Sequence, residues 1–268
     1  MKQRVISTLL LWTVVILLPL TLGLLGAAIL VAVFGLLSML ELRDLLNRSG
    51  FALHPVWTPV GGMAFLVLVA LYPTDPEWLL GAFFVLLVVG TCSVLLKTEV
   101  ESFPQRAGGW LLFLCLIPLP FGIAAQILVM PGMWVLVWII AVAKFTDVGA
   151  LLTGMLIGKH KMSPRISPKK TWEGLAGGLV SSVLISALFI TLFSDHLPSW
   201  LTLNNGLWMA LPIGGAGVLA DLLESALKRA AKVKDSGSWI PGIGGALDLT
   251  DSLMLALPVA YVLFLIVS

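Results

Sequence analysis

Runs of about 20 apolar residues recur along most of this chain, and they constrain its fold more than any single residue does. A helix rising about 1.5 Å per residue needs about 20 residues to cross a hydrocarbon layer about 30 Å thick. Nine such segments can be marked, at roughly residues 5–24, 27–46, 54–73, 77–97, 108–127, 131–152, 173–194, 205–228 and 250–267. The first two form one long apolar run, divided here at Gly23 to Gly26. With 59% hydrophobic residues, 11% charged and a mean hydropathy of +1.05, the 268 residues fall outside the range of a soluble domain. The expected fold is an all-α polytopic membrane protein of about nine transmembrane helices.

Lys and Arg are distributed unevenly between the connections. One side receives Lys2, Arg4, Arg43, Arg48, Lys97, Arg106, the run Lys159 to Lys170 and the group Lys228 to Lys234. The connections near residues 24–27, 74–77, 127–132 and 195–204 contain neither. That asymmetry puts the N-terminus and the basic loops in the cytoplasm. A cleaved leader is not expected, because the apolar stretch after Lys2 and Arg4 is too long for a signal core and runs into another helix. Trp57, Trp78, Trp110, Trp200 and Trp208 near segment ends read as interfacial anchors. Cys92 and Cys115 lie in apolar segments without metal-like spacing, and a net charge of +2 is too small for a nucleic-acid binder.

The chain reads as a single integral membrane domain, 1–268, with a hydrophobic helical half (1–130) and a half that carries chemistry (131–268). In the first half, Glu41, Arg43, Asp44, His54, Glu99 and Glu101 read as solvated helix flanks. From Asp221 to Asp251, by contrast, five carboxylates and four cations are packed into an otherwise apolar protein, where charge is costly. Asp221, Glu224, Ser225, Lys228 and Arg229 fall on one stripe of a helix. The stripe begins while the segment is still apolar, which favours a buried or cavity-facing role over simple pairing. Lys234 and Asp235 follow, then a Gly- and Pro-rich turn leads to Asp248 and Asp251, whose i, i+3 spacing turns both acids the same way. These oxygen-only ligands suit Mg²⁺, which keeps waters and binds through carboxylates plus substrate phosphates. Lys228, Arg229 and Lys234 are then phosphate partners.

A second polar block runs from Asp147 to Gly178. Ser167 followed by Pro168 reads as an N-cap and first-turn signal, placing Lys169, Lys170 and Thr171 in the opening turn of a helix, where free N–H groups and two lysines make an anion site. Asp147, three residues after Lys144, reads either as half of an intramembrane salt bridge or as a polar wall of the same cavity.

These residues resemble the phosphatidate cytidylyltransferase family, also called CDP-diacylglycerol synthases. The family signature S-x-x-K-R-x4-K-D, a turn, P-x-H-G-G and D-R-x-D is matched by Ser225, Lys228, Arg229, Lys234, Asp235, Pro241, Gly244, Gly245, Asp248 and Asp251. Asp221 and Glu224 match the lead-in apart from Ala220 for its Gly, and the segment from Asp147 through Ser167 to Gly174 resembles a second family block. Two positions depart: Ile243 stands for the usual His and Leu249 for the usual Arg.

The resemblance implies transfer of a cytidylyl group from CTP to phosphatidate, releasing pyrophosphate, at a cytoplasm-facing polar cavity in an inner or equivalent membrane. Asp221, Asp248 and Asp251 would hold Mg²⁺. Asp221, Lys228, Asp248 and Asp251 would be catalytic, while Ser167, Lys169, Lys170, Thr171, Ser225, Arg229, Lys234 and Asp235 would bind substrate. A second cation and a homodimer are compatible with this reading. A phosphate monoester, with its second pKa near about 6, is already an anion at neutral pH, so loss of the His should cost less than loss of an Asp. A CTP-dependent enzyme acting on another lipid, as a lipid-alcohol kinase or an ether-lipid cytidylyltransferase, stays open. So does a transporter, although it would spread its charges across the membrane.

Overall fold

The computed structural model describes residues 2–72, 76–97, 99–237, 239 and 244–267. Pro241 and Ile243 of the signature lie outside the described residues. In chain order the elements are α1 (Lys2–Leu22), α2 (Leu24–Arg48), α3 (Trp57–Leu71), α4 (Pro76–Lys97), α5 (Phe103–Leu116), α6 (Pro118–Ile127), α7 (Met133–Ile157), β1 (Lys161–Ser163), β2 (Ser167–Thr171), α8 (Trp172–Phe193), α9 (Leu203–Ala230), α10 (Ala246–Thr250) and α11 (Leu253–Val267).

Among the described residues, six helical stretches are long and apolar enough to cross a membrane, and shorter apolar helices span Leu9–Leu22 and Trp57–Leu71. Large apolar side chains stay outside the packing, as on α4, where Phe84 and Val89 are each 59% exposed. Such a surface needs lipid instead of water, and the protein is an all-α polytopic membrane protein.

Helix breaks fall where the backbone chemistry requires them. Gly23, at φ +58°, separates α1 from α2, so the long N-terminal run divides where the sequence suggested. The segment expected at 108–127 is two helices, α5 and α6, parted at Ile117 because Pro118 has no amide hydrogen to donate into the preceding turn. Met130 is extended (φ −144°, ψ 115°) ahead of Pro131, and α7 restarts after Gly132 at φ +122°.

The chain forms two compact units, Met1–Met130 with Leu227–Thr250, and Pro131–Ala226 with Asp251–Ser268. In the first, α2 packs on α1, α3, α5, α6 and α10, and Met39, Leu42, Leu46, Phe65 and Phe113 are fully buried. Trp110 is also in this core: it lies against Gly90 of α4 and donates to Leu86 O at 3.3 Å, so the anchor reading fails for it.

In the second unit α7 and α8 pack along a seam of small residues. A Cβ on Gly177 would fall onto the Thr153 side chain, and one on Gly178 would lie 2.8 Å from Thr146 O. Lipid supplies no hydrophobic drive between helices, so close backbone approach and polar contacts hold the seam. Ser181 Oγ donates to Phe145 O at 3.0 Å, and fully buried Ser186 takes Trp138 Nε1 at 3.0 Å while donating to Gly206 O at 2.8 Å.

The turn expected to open a helix at Ser167 is instead β2, paired antiparallel with β1 through Lys161↔Thr171 and Ser163↔Ser167. Helix α8 starts at Trp172 and its cap is Thr171, whose Oγ1 accepts from Gly174 N at 3.1 Å. Two competing signals explain the correction. Ser-Pro also fits an extended chain, and the hairpin partner satisfies backbone groups that a helix start would leave open.

Candidate active site

Helix α9 presents Asp221 and Glu224 one turn apart, and Asp251 lies in the two-residue turn between α10 and α11. One carboxylate oxygen from each of Asp221, Glu224 and Asp251 lies within 4.8 Å of the others. Glu224 is fully buried and the two aspartates are half-buried. Three ionised carboxylates this close would repel one another by several kcal/mol per pair at an effective dielectric constant of about 20, a cost that bound cations or protons relieve.

Two lysines of the same unit supply charge. Lys170 Nζ meets Asp221 Oδ2 at 2.7 Å and also donates to Val218 O at 3.2 Å. Lys144 Nζ, from α7, meets Asp251 Oδ1 at 3.0 Å. Asp147, one turn beyond Lys144, interacts electrostatically with Lys144, Asp251, Asp221 and Lys170. Of the two readings left open for Asp147, the ion pair of Lys144 goes to Asp251 instead, and Asp147 stands among the same charges. Ser225 Oγ donates to Asp221 Oδ1 at 3.4 Å, and Asp251 Oδ1 accepts from Ser252 N at 2.6 Å.

The donor set fits a hard divalent ion. Octahedral Mg²⁺ with bonds of about 2.1 Å separates its oxygen ligands by about 3 Å along an edge and about 4.2 Å across the diagonal. Carboxylate oxygens within 4.8 Å of one another reach that geometry with small side-chain shifts. The group contains no nitrogen or sulfur ligand that would favour a softer metal.

The other expected residues are arranged as follows. Lys169 and Lys170 are neighbours on β2, so they point to opposite faces; Lys169 is exposed while Lys170 reaches Asp221. Thr171 Oγ1 is engaged in capping α8, and Ser167 is half-buried in the hairpin. Arg229, Lys234 and Asp235 are exposed. Lys228 Nζ meets Asp248 Oδ1 at 2.8 Å, with the two side chains 15% and 14% exposed. Asp248 Oδ2 accepts from Ser236 N at 3.1 Å and Gly245 N at 2.8 Å, so this acid organises its own loop. Gly244, at φ +125°, has no room for a side chain, since a Cβ would sit 2.6 Å from Asp248 Oδ2. Leu249 is half-buried within α10.

Glu41, read from sequence as a solvated flank, is 3% exposed. Its Oε1 accepts from Ala246 N at 3.0 Å and its Oε2 from Leu247 N and Ser236 Oγ, both at 2.8 Å. Nothing local marks this residue, because its partners lie about 200 positions away. Glu224 and Lys144 were legible as charges within apolar segments, but not Glu224 as a member of the acid cluster or Lys144 as the partner of Asp251.

The Cytidylyltransferase family matches residues 2–267. The chain is 32% identical over 276 residues to a protein of Staphylococcus epidermidis named phosphatidate cytidylyltransferase, covering 99% of both chains. It is equally similar to the Staphylococcus haemolyticus protein of that name, at 32% over 277 residues. The Haemophilus influenzae protein of the same name is 36% identical over 127 residues, 47% of this chain and 44% of that one. Similarity that extends along nearly the whole sequence, and includes the segment bearing the clustered acids, makes the chain a member of the cytidylyltransferase family.

Proposed function

We propose that this chain is an enzyme that moves a cytidylyl group from CTP to phosphatidate, forming CDP-diacylglycerol and pyrophosphate for phospholipid synthesis. The observation that carries the reading is the meeting of Asp221, Glu224 and Asp251 within 4.8 Å, two of them engaged by lysines, in a member of this family. A phosphate oxygen of phosphatidate attacks the α-phosphorus of CTP, the bond from that phosphorus to the bridging oxygen breaks, and pyrophosphate leaves with the electron pair. The attacking phosphate monoester is already an anion at neutral pH, so no side chain needs to act as base. The absence of the family's His at Ile243 is compatible with that chemistry.

In this proposal Asp221, Glu224 and Asp251 hold Mg²⁺, which when bound neutralises phosphate charge and the departing pyrophosphate. Lys170 and Lys144 exchange carboxylate for phosphate contacts. Lys228, farther along α9 and oriented by Asp248, takes a phosphate of the substrates, Arg229 and Lys234 add charge from the same stretch, and Lys169 adds charge from β2. Ser167 and Ser225 contribute hydrogen bonds. Asp248 serves Lys228 first, because both of its oxygens already accept hydrogen bonds from protein groups.

The proposal includes nine membrane crossings, with the acid cluster on the cytoplasmic side of a bacterial inner membrane, and a homodimer measurable as a doubled mass in nanodiscs. The deciding experiment incubates purified protein with phosphatidate, Mg²⁺ and CTP labelled at the α or the γ phosphate. Label from the α position should enter a chloroform-soluble CDP-lipid, while γ label should leave as pyrophosphate. Transfer of γ label to lipid would identify a kinase, and solute flux without nucleotide consumption a transporter; either overturns the proposal.

A further inference from the structure

Glu41 belongs to α2, far in sequence from every residue to which the proposed reaction assigns a role. Its carboxylate nevertheless ends in a pocket built from the C-terminal loop. Three donors converge on it: Ala246 N, Leu247 N and Ser236 Oγ. Two glycines complete the pocket. A Cβ at Gly237 would collide with Glu41 Oε1 and come within 2.6 Å of its Cδ, and a Cβ at Gly245 would collide with Oε2. Ala246 and Leu247 are both 0% exposed, so with Glu41 in place the carboxylate, not water, accepts from their amides. An unpaired charged side chain in this setting would be costly, whereas one that receives three hydrogen bonds can fix a backbone segment.

The segment that Glu41 fixes is the one that aims Lys228. Asp248 follows Leu247 directly, accepts from Ser236 N and Gly245 N, and meets Lys228 Nζ at 2.8 Å. Ser236 and Gly245 therefore serve both acids: Ser236 gives its hydroxyl to Glu41 and its amide to Asp248, and Gly245 packs against Glu41 while its amide reaches Asp248.

We propose that Glu41 is a positioning residue that ties Ser236 and Gly237 to the start of α10, holds Asp248 in register and thereby orients Lys228 toward a substrate phosphate. The link to turnover rests on the reading that Lys228 binds such a phosphate, but the clamp itself does not.

Hydrogen exchange on the full-length protein in detergent tests the clamp directly. In Glu41→Ala, exchange at the amides of Ala246 and Leu247 should rise at least about tenfold, the factor expected when a net hydrogen bond is lost, while α8 is unchanged. Glu41→Gln keeps the shape but presents an amide NH₂ toward a donor, and it should show a smaller rise if Glu41→Ala proves unstable. Gly237→Ala alone should loosen the same amides, whereas combined with Glu41→Ala its methyl occupies vacated space and adds nothing. In initial-rate assays Glu41→Ala should raise KM for CTP about tenfold, by the same hydrogen-bond factor, more than it lowers kcat. A merely structural role would lower the active fraction, and so kcat, at constant KM. Wild-type protection of residues 246 and 247, simple additivity with Gly237→Ala, or a loss confined to kcat would each overturn the inference. Should the wild-type protein make no CDP-lipid, the functional reading falls and the exchange and coupling data alone decide the clamp.

Discussion

Replacing Lys170 with Met keeps the aliphatic stem on β2 and removes the ammonium that meets Asp221 at 2.7 Å. At that separation, with an effective dielectric constant of about 20, the gross Coulomb attraction is about 6 kcal/mol. The pair is partly open, with side chains 20% and 27% exposed, and desolvation offsets most of the gross attraction. What survives is about 1.5 kcal/mol, the lower end for a hydrogen bond to a charged group, or about tenfold in an equilibrium constant. In the wild-type protein a divalent ion must share Asp221 with that ammonium, whereas in Lys170→Met it meets an uncompensated acid beside Glu224 and Asp251. The Mg²⁺ concentration for half-maximal rate should therefore fall by up to about tenfold, while KM for CTP rises by about tenfold as the nucleotide loses a phosphate partner. Pyrophosphate release would be followed with Mg²⁺ titrated at saturating CTP and CTP at saturating Mg²⁺, alongside calorimetric titration of Mg²⁺ alone. If both constants rise, or neither moves, the assignment of Lys170 to both Asp221 and the substrate is refuted.

Asp251→Asn removes one proposed ligand and the partner of Lys144; Mg²⁺-dependent turnover should drop by at least about 100-fold, with Mg²⁺ affinity by calorimetry falling in step. Thr171→Ala removes the cap of α8 and should cost about 1 kcal/mol, read as a midpoint a few degrees lower in thermal unfolding, with Thr171→Ser close to wild type. Gly177→Val drives a branched side chain into Thr153 and should destabilise the α7–α8 seam by about 1–3 kcal/mol, whereas Gly215→Ala, whose nearest neighbour is Leu179 at 4.0 Å, should melt normally.

Features that repeat along the chain were readable from the sequence, and those set by distant pairing were not. Apolar runs and the Gly23 break announced helices because length and backbone freedom are local properties. The i, i+3 spacing of Asp221 and Glu224 predicted a shared helical face, and both belong to the acid cluster with Asp251. Proximity in sequence is a poor guide to partners. Spacing left Asp147 open as the partner of Lys144 or as a cavity wall, and it gave no hint that Asp251, 107 positions away, takes the lysine. Ser167-Pro168 suggested a helix start because the alternative depended on β1, a strand too short to show an alternating pattern. Pro118 was readable as a breaker, but the surrounding hydrophobicity hid the division of one expected span into α5 and α6. Glu41 is the extreme case: an acid at a helix end appears solvated until the folded chain brings five backbone and side-chain groups around it.

That arrangement ties the evolution and engineering of two remote stretches together. Glycine at 237 and 245 leaves room for the acid at 41, and those glycines with their neighbouring donors accommodate its carboxylate. A chimera that exchanges the C-terminal signature with that of a relative, yet leaves α2 in place, risks a mismatched lock. The transplantable module is discontinuous, comprising the last turns of α2 together with residues 228–250.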